Sequence, residues 1–310
     1  MAHIEVTGLT KSYGPHTVLH GLVLRVERGE IVGILGPNGA GKTTAVECIG
    51  GLRRRDGGRI SVDGIDPASG DPRLRALLGM QLQQCRLPAK ITTVEAIDLF
   101  RSFYRAPRDA DELLERFGLT HQRDQRFEHL SGGQQQRLSV ALALVGSPEV
   151  AILDELTTGL DPAARREIWR YLRGLTGPDG APTTILLVTH SMEEAQYLCD
   201  RVVILADGRV VAQGPTDQVA GSGDTQEIAF TPSPPLDDAA LGTVSALSGV
   251  RDVRVEGPRV VVEGDASVPQ TVLAHLTALG VTAGALRVTG PSLDDAYLAA
   301  TGTETRHDHR

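Results

Sequence analysis

Gly36, Pro37, Asn38, Gly39, Ala40, Gly41, Lys42 and Thr43 follow one another with the spacing G-x-x-x-x-G-K-[ST], directly after the apolar run Ile31–Leu35 and before a segment of helical character. Strand, glycine loop and helix form the context in which backbone N–H groups turn inward around phosphate oxygens, and the positive end of the helix adds to the attraction. In that arrangement Lys42 reaches the β- and γ-phosphates, Thr43 ligands Mg²⁺, and Thr44 continues the phosphate-binding helix start. Lysine is scarce in this chain. Lys11, Lys42 and Lys90 stand among 31 basic residues, so a lysine inside a motif rises above its background.

A second run, Val150-Ala-Ile-Leu-Asp-Glu155, is an apolar strand that ends in two carboxylates. Alternation along a strand predicts that Asp154 and Glu155 point to opposite sides. Asp154 is then available to Mg²⁺, and Glu155 is the candidate general base that orients a water against the γ-phosphate. The third run is Leu130-Ser-Gly-Gly-Gln-Gln-Gln-Arg137, expected just before a helix. Ser131 is its N-cap candidate, and Gly132 and Gly133 allow close backbone approach. A second helix start with free donors is a second anion site. One nucleotide does not need two such sites from one chain, so this segment is expected to serve a nucleotide held by a partner molecule, in a dimer.

These motifs, in this order over about residues 1–215, resemble the ATP-binding cassette family, the motor subunits of ABC transporters. Leu130–Arg137 is the most specific mark. The resemblance implies a P-loop NTPase α/β fold with a helical insertion, and ATP and Mg²⁺ as cofactors. It implies ATP hydrolysis at two composite sites in a dimer, most simply a homodimer, that drives a separate transmembrane permease. It also implies roles for single residues. Tyr13 would stack on adenine, and Gln83, in Gly79-Met-Gln-Leu-Gln83, would be the glutamine-loop residue that serves catalysis and the metal. Gln81 competes for that assignment, with Gln83 favoured by its distance from Gly79. Ser131, Gly132, Gly133 and Gln134 would meet the partner's nucleotide. Asp161, in Gly159-Leu-Asp161, would lie on a loop that crosses the dimer interface, and His190 would be the switch that contacts the γ-phosphate.

The family usually has proline after the Asp-Glu pair, where this chain has Leu156; that position tunes the turn and its ring is not needed for the chemistry. Val94 to Arg105 is the surface implied to meet the permease. The segment Pro291–Gly302 is similar to the closing segment of drug- and antibiotic-exporter ATPases of the daunorubicin-resistance type. That favours export over an importer subunit. A non-transport ABC ATPase is the other alternative, but such relatives carry two cassettes or long coiled-coil arms, and this chain has no sustained heptads. A P-loop kinase would not need Leu130–Arg137.

Holding these groups requires an α/β core. Ile31–Leu35, Val150–Leu153, Ile185–Val188 and Val202–Leu205 read as strands buried on both faces, with helices over Ser139–Leu144, Pro162–Leu175 and Met192–Leu198. A helical insertion is expected over about 88–145. Gly221-Ser-Gly-Asp224 reads as a linker, followed by β-α-β-β-α-β, the ferredoxin-like order. The expected organisation is a nucleotide-binding domain over 1–220, a small α+β domain over 226–303 and a flexible tail over 304–310, where His307 and His309 read as solvated.

Composition bounds the function. With 41% hydrophobic and 23% charged residues among 310, the chain is not generally disordered. A net charge of −8 disfavours wrapping nucleic acid, and no nucleic acid partner is expected. Cys48, Cys85 and Cys199 show no paired spacing and read as reduced thiols of a cytosolic protein. The longest apolar stretch, Val140–Gly146, falls far short of the roughly 20 residues a membrane span needs, and the N-terminus shows no secretory pattern. The expected location is cytoplasmic, peripheral on the inner face of the cell membrane through the permease. Arg53–Arg55 reads as a solvated loop.

Overall fold

The computed structural model describes residues 2–81, 86–157, 159–176, 182–221, 226–290 and 293–301, the side chains of 295 and 299 excepted. The chain divides into two compact units, Met1–Thr216 and Asp217–Arg310.

The first unit opens with β1 (Ala2–Tyr13), β2 (His16–Glu27), β3 (Ile31–Leu35), α1 (Lys42–Ile49) and β4 (Gly57–Val62). Next come α2 (Pro72–Leu77), β5 (Leu78–Gln81), α3 (Thr93–Arg101), α4 (Ala110–Arg116) and α5 (Gly132–Leu144). β6 (Val150–Asp154), α6 (Pro162–Leu175), β7 (Thr184–Val188), α7 (Met192–Leu198), β8 (Arg201–Ala206) and β9 (Arg209–Pro215) complete it. A six-stranded sheet runs β5-β6-β7-β3-β8-β9, parallel throughout except for β9, which pairs antiparallel with β8. Every residue of β3, β6 and β7 is buried, as a parallel sheet covered on both faces demands. A separate antiparallel sheet, β2-β1-β4, alternates buried and exposed positions and presents Leu22, Leu24, Val26, Ile60 and Val62 to the core. Sequence reasoning had no signal for this sheet beyond β-rich composition, because its pairings join hairpin strands to a segment more than forty residues on. α1 contributes Ala45, Val46 and Ile49 to that same core.

Between β5 and β6 the described residues hold helices and no strand, with an isolated bridge at Thr92–Arg126. Local chemistry sets where these helices start. Thr92 and Glu95 form a reciprocal capping box and Asp109 caps α4; beyond β6, Asp161 caps α6 in the same way, with Pro162 in the first turn. One expectation is corrected. Ser131 is the N-cap as expected, but α5 begins at Gly132 and not near Ser139, so Gly132–Arg137 form its first turns instead of preceding it. Glycine is a poor helix former, but the capping box of Ser131 with Gln134 supplies the nucleus.

After α8 (Thr216–Ala220) the second unit contains β10 (Gln226–Ser233), α9 (Asp238–Ser245), β11 (Val250–Glu256) and β12 (Arg259–Gly264). It closes with α10 (Val268–Ala278), β13 (Thr282–Thr289) and α11 (Leu293–Thr301). Its four strands form an antiparallel sheet ordered β11-β12-β10-β13. Ile228, Phe230, Val260 and Val262 pack with Val244 of α9 and Val268, Val272 and Leu276 of α10 in a core of their own.

Candidate active site

Three strands adjacent in the sheet, β6, β7 and β3, run parallel and end at the same edge. The carboxyl ends of strands are where open α/β sheets bind ligands, and here those ends carry Asp154–Glu155, Thr189–His190 and the loop 36–41. The loop's shape depends on glycine at two positions. At Gly36 (φ 155°) a Cβ would lie 2.3 Å from the Leu205 carbonyl oxygen, and at Gly41 (φ 96°) 2.7 Å from Leu19 Cδ2. Gly41 is the N-cap of α1 and offers no side chain to its first-turn N–H groups. Donors left uncapped in this way suit an anion.

Lys42 is 7% exposed and donates from Nζ to the carbonyl oxygens of Gly36 (2.7 Å) and Pro37 (3.0 Å), so its ammonium lies across the loop. Burial lowers its pKa, while Glu155 and Asp154 pull the other way. Thr43 Oγ1 donates to Asp154 Oδ2 at 3.2 Å. Asp154 is 1% exposed, and burial pushes its carboxyl up to about 6 despite the Thr43 hydrogen bond. A hydroxyl and a buried carboxylate side by side are hard oxygen donors of the kind Mg²⁺ selects, and the carboxylate has charge that burial leaves under-compensated.

Glu155 is not directed by strand alternation, which corrects the expectation. β6 ends at Asp154, and Glu155 takes a left-handed conformation, φ 53°. Its N–H donates to Val188 O at 2.8 Å, and its own carbonyl accepts from Gln136 Nε2 at 2.8 Å. The carboxylate reaches His190, with Oε1 3.4 Å from Nδ1. Leu156 is fully buried beyond this turn, and unlike proline it places no restriction on the backbone of residue 155.

The other expected residues fall as follows. Tyr13 ends β1, 41% exposed, with Arg53 Cζ 5.1 Å and Lys11 Nζ 5.6 Å from its ring centroid. Arg53 also pairs with Glu47, and Arg55 makes two hydrogen bonds to Asp66, so this loop is tied down by ion pairs. Ser131 Oγ accepts from Gln134 N–H, and Gln134 Oε1 accepts from Ser131 N–H. A Cβ on Gly133 would lie 3.0 Å from Gly159 O, whereas one on Gly132 would meet open space. Asp161 accepts from the N–H groups of Ala164 and Ala163, which hold its carboxyl below the usual range. Gln83 lies outside the described residues. Gln81 is buried and its Oε1 accepts from Asp154 N–H at 3.0 Å, so it braces β6.

Two residues went unassigned by sequence reasoning. Gln136 carries the hydrogen bond to Glu155; it sits inside a named motif, but nothing in that motif says where its amide points. Glu194, 1% exposed, accepts from Thr157 Oγ1 (2.7 Å) and Trp169 Nε1 (3.1 Å) and so anchors the segment after Glu155. In sequence it looks like an ordinary first-turn acid of α7.

The family model described as ABC transporter matches residues 19–158. Among curated proteins, the daunorubicin resistance ATP-binding protein DrrA3 of Streptomyces coeruleorubidus is 37% identical, over 98% of this chain and 97% of its own length. The Nod factor export ATP-binding protein I of Rhizobium meliloti (strain 1021) is 37% identical, over 98% of this chain and 89% of its own. Among solved structures, a dimeric ATP-binding cassette in a post-hydrolysis state bound to ADP and Pi is 30% identical with a TM-score of 0.63, over 68% of this chain and 98% of that one.

Proposed function

Because this chain belongs to the ABC transporter family, as an ATP-hydrolysing ATP-binding subunit of the exporter type, we propose that it pairs with a second cassette and drives a separate transmembrane permease. ATP binds at Lys42–Thr44 with Mg²⁺ on Thr43 and Asp154, joined by Gln83. The ion, when bound, neutralises charge on the β- and γ-phosphate oxygens. Lys42 supplies a second cation, Glu155 orients the attacking water and accepts its proton, and His190 contacts the γ-phosphate beside it. The observation that carries this reading is the junction at one sheet edge: Thr43 on Asp154, and Glu155 turned toward His190.

Ser131, Gly132, Gly133, Gln134 and Asp161 serve the partner's nucleotide, a reading supported by the dimeric assembly of the similar cassette. Tyr13 stacks on the adenine. The cargo is a drug or another small molecule, as the names of the relatives suggest, and the permease selects it. Among the described residues no helix is long and apolar enough to cross a membrane. We place the subunit on the cytoplasmic face through its permease, which docks on Val94–Arg105, where Leu99 of α3 and Phe103 just past its end are exposed. We read 1–220 as the nucleotide-binding domain and 226–303 as an accessory domain. The order β11-β12-β10-β13, with the first and third strands central, supports a ferredoxin-like fold.

The test is Glu155→Gln. It should bind ATP–Mg²⁺ as the parent does, lose about two orders of magnitude or more in turnover, and accumulate as an ATP-bound dimer. Turnover near that of the parent would move the base elsewhere.

A further inference from the structure

Glu155 stands just past the end of its strand in a left-handed backbone conformation that a non-glycine residue keeps only where its surroundings impose it. Two hydrogen bonds impose it here. One runs from its N–H to Val188 O at the end of β7, and the other comes to its carbonyl from Gln136 Nε2, each 2.8 Å long. Burial of Leu156 decides where the chain goes next. The plane of the peptide between residues 155 and 156 is set by Gln136.

Gln136 belongs to the first turns of α5, whose N-cap is Ser131. Accepting the reading above, in which Glu155 is the base and the start of α5 faces the partner's nucleotide, we propose that Gln136 is a positioning residue. It fixes the carboxylate of Glu155 against its water and ties that placement to the helix that meets the opposite nucleotide. A shift of α5 on closure of the dimer is passed by one hydrogen bond to the base of the same chain. Each site is thus aligned through a helix engaged by the other. Gln136 touches neither substrate nor metal in this account; it acts through Glu155.

Two variants of the full-length chain test it, with basal ATP turnover, KM and ATP-dependent dimerisation measured for each. Gln136→Leu keeps the size of the half-buried side chain and removes the donor. Its kcat should fall about tenfold or more, since small misplacements of a catalytic group are costly, while KM stays within about twofold and ATP-dependent dimerisation is unchanged. Gln136→Glu has the same shape, but its carboxylate faces a carbonyl oxygen. Its kcat relative to the parent at each pH should be lowest near pH 8. The ratio should recover toward pH 5.5, as the protonated carboxyl regains an O–H donor and the carbonyl raises its pKa. The leucine ratio should stay flat, which a merely structural role would not separate.

Gln136→Leu with kcat within about twofold of the parent would overturn the proposal. So would equal losses in kcat and ATP affinity, failure to dimerise, or a pH-independent ratio for Gln136→Glu. The control is Glu155→Gln. If that variant turns over normally, the base assignment fails and the proposal with it. If Glu155→Gln is inactive while Gln136→Leu is normal, the base stands and the role of Gln136 alone is refuted.

Discussion

Asp154→Asn separates the cost of the buried carboxylate from its use. The folded carboxyl has its pKa near 6 against an ordinary 3.8. Below 3.8 both folded and unfolded chains hold the proton and the group costs nothing. Between 3.8 and about 6 the unfolded chain releases its proton while the folded one keeps it, so stability falls as pH rises. Above about 6 the whole penalty applies. A gap of about two pH units at ~1.4 kcal/mol each gives ~3 kcal/mol at pH 7.5 and roughly half of that at pH 5.0.

Asparagine keeps an oxygen for the Thr43 hydroxyl and carries no charge. Its extra N–H groups cost the same at every pH. The nucleotide-free variant should therefore gain on the parent by about 1 to 2 kcal/mol between pH 5.0 and 7.5. Trp169, the single tryptophan and buried at 2% exposure, reports the first unit alone, so urea unfolding followed by its fluorescence is the assay. Adding ATP and Mg²⁺ at pH 7.5 should stabilise the parent more than the variant, which lacks the ligand carboxylate. A variant-minus-parent stability that stays constant or falls as pH rises would refute this assignment of the cost.

Two further substitutions probe the nucleotide and the partner. Gly132→Asp meets open space in its own chain and puts an acid in the first turn of α5, which favours the helix. Nucleotide binding by the monomer should stay within about twofold and ATP-dependent dimerisation should be lost through repulsion of the partner's phosphate, as read by light scattering; dimers that form as in the parent would remove this surface from the composite site. Tyr13→Ala removes one ring and leaves Arg53 paired with Glu47, so ATP affinity by fluorescence titration should fall about tenfold with saturated turnover unchanged. Unaltered affinity would take the adenine away from Tyr13.

Much of the site was legible because it is made from contiguous residues under local constraints. A backbone that wraps a phosphate needs glycines at Gly36 and Gly41, and a helix that begins with glycines needs a cap such as Ser131 with Gln134. Both demands leave marks on neighbouring letters. Continuous apolar runs likewise announced β3, β6, β7 and β8, since strands covered on both faces have no polar side to show.

What tertiary structure alone decided are the pairings between distant letters. Thr43 meets Asp154 across 111 positions, and Gln81 meets the Asp154 N–H across 73. Gln136 holds the carbonyl of Glu155 from 19 positions away on another element. The direction of Glu155 followed from a left-handed turn after β6, where strand periodicity no longer applies. Glu194 became an interior anchor because Thr157 and Trp169 close over it, and its neighbours in sequence carry no trace of that. Spacing along a chain encodes the local backbone. The partner that a buried amide, carboxylate or ammonium finds is fixed by which elements pack against it, and burial then sets its hydrogen bonds and its charge.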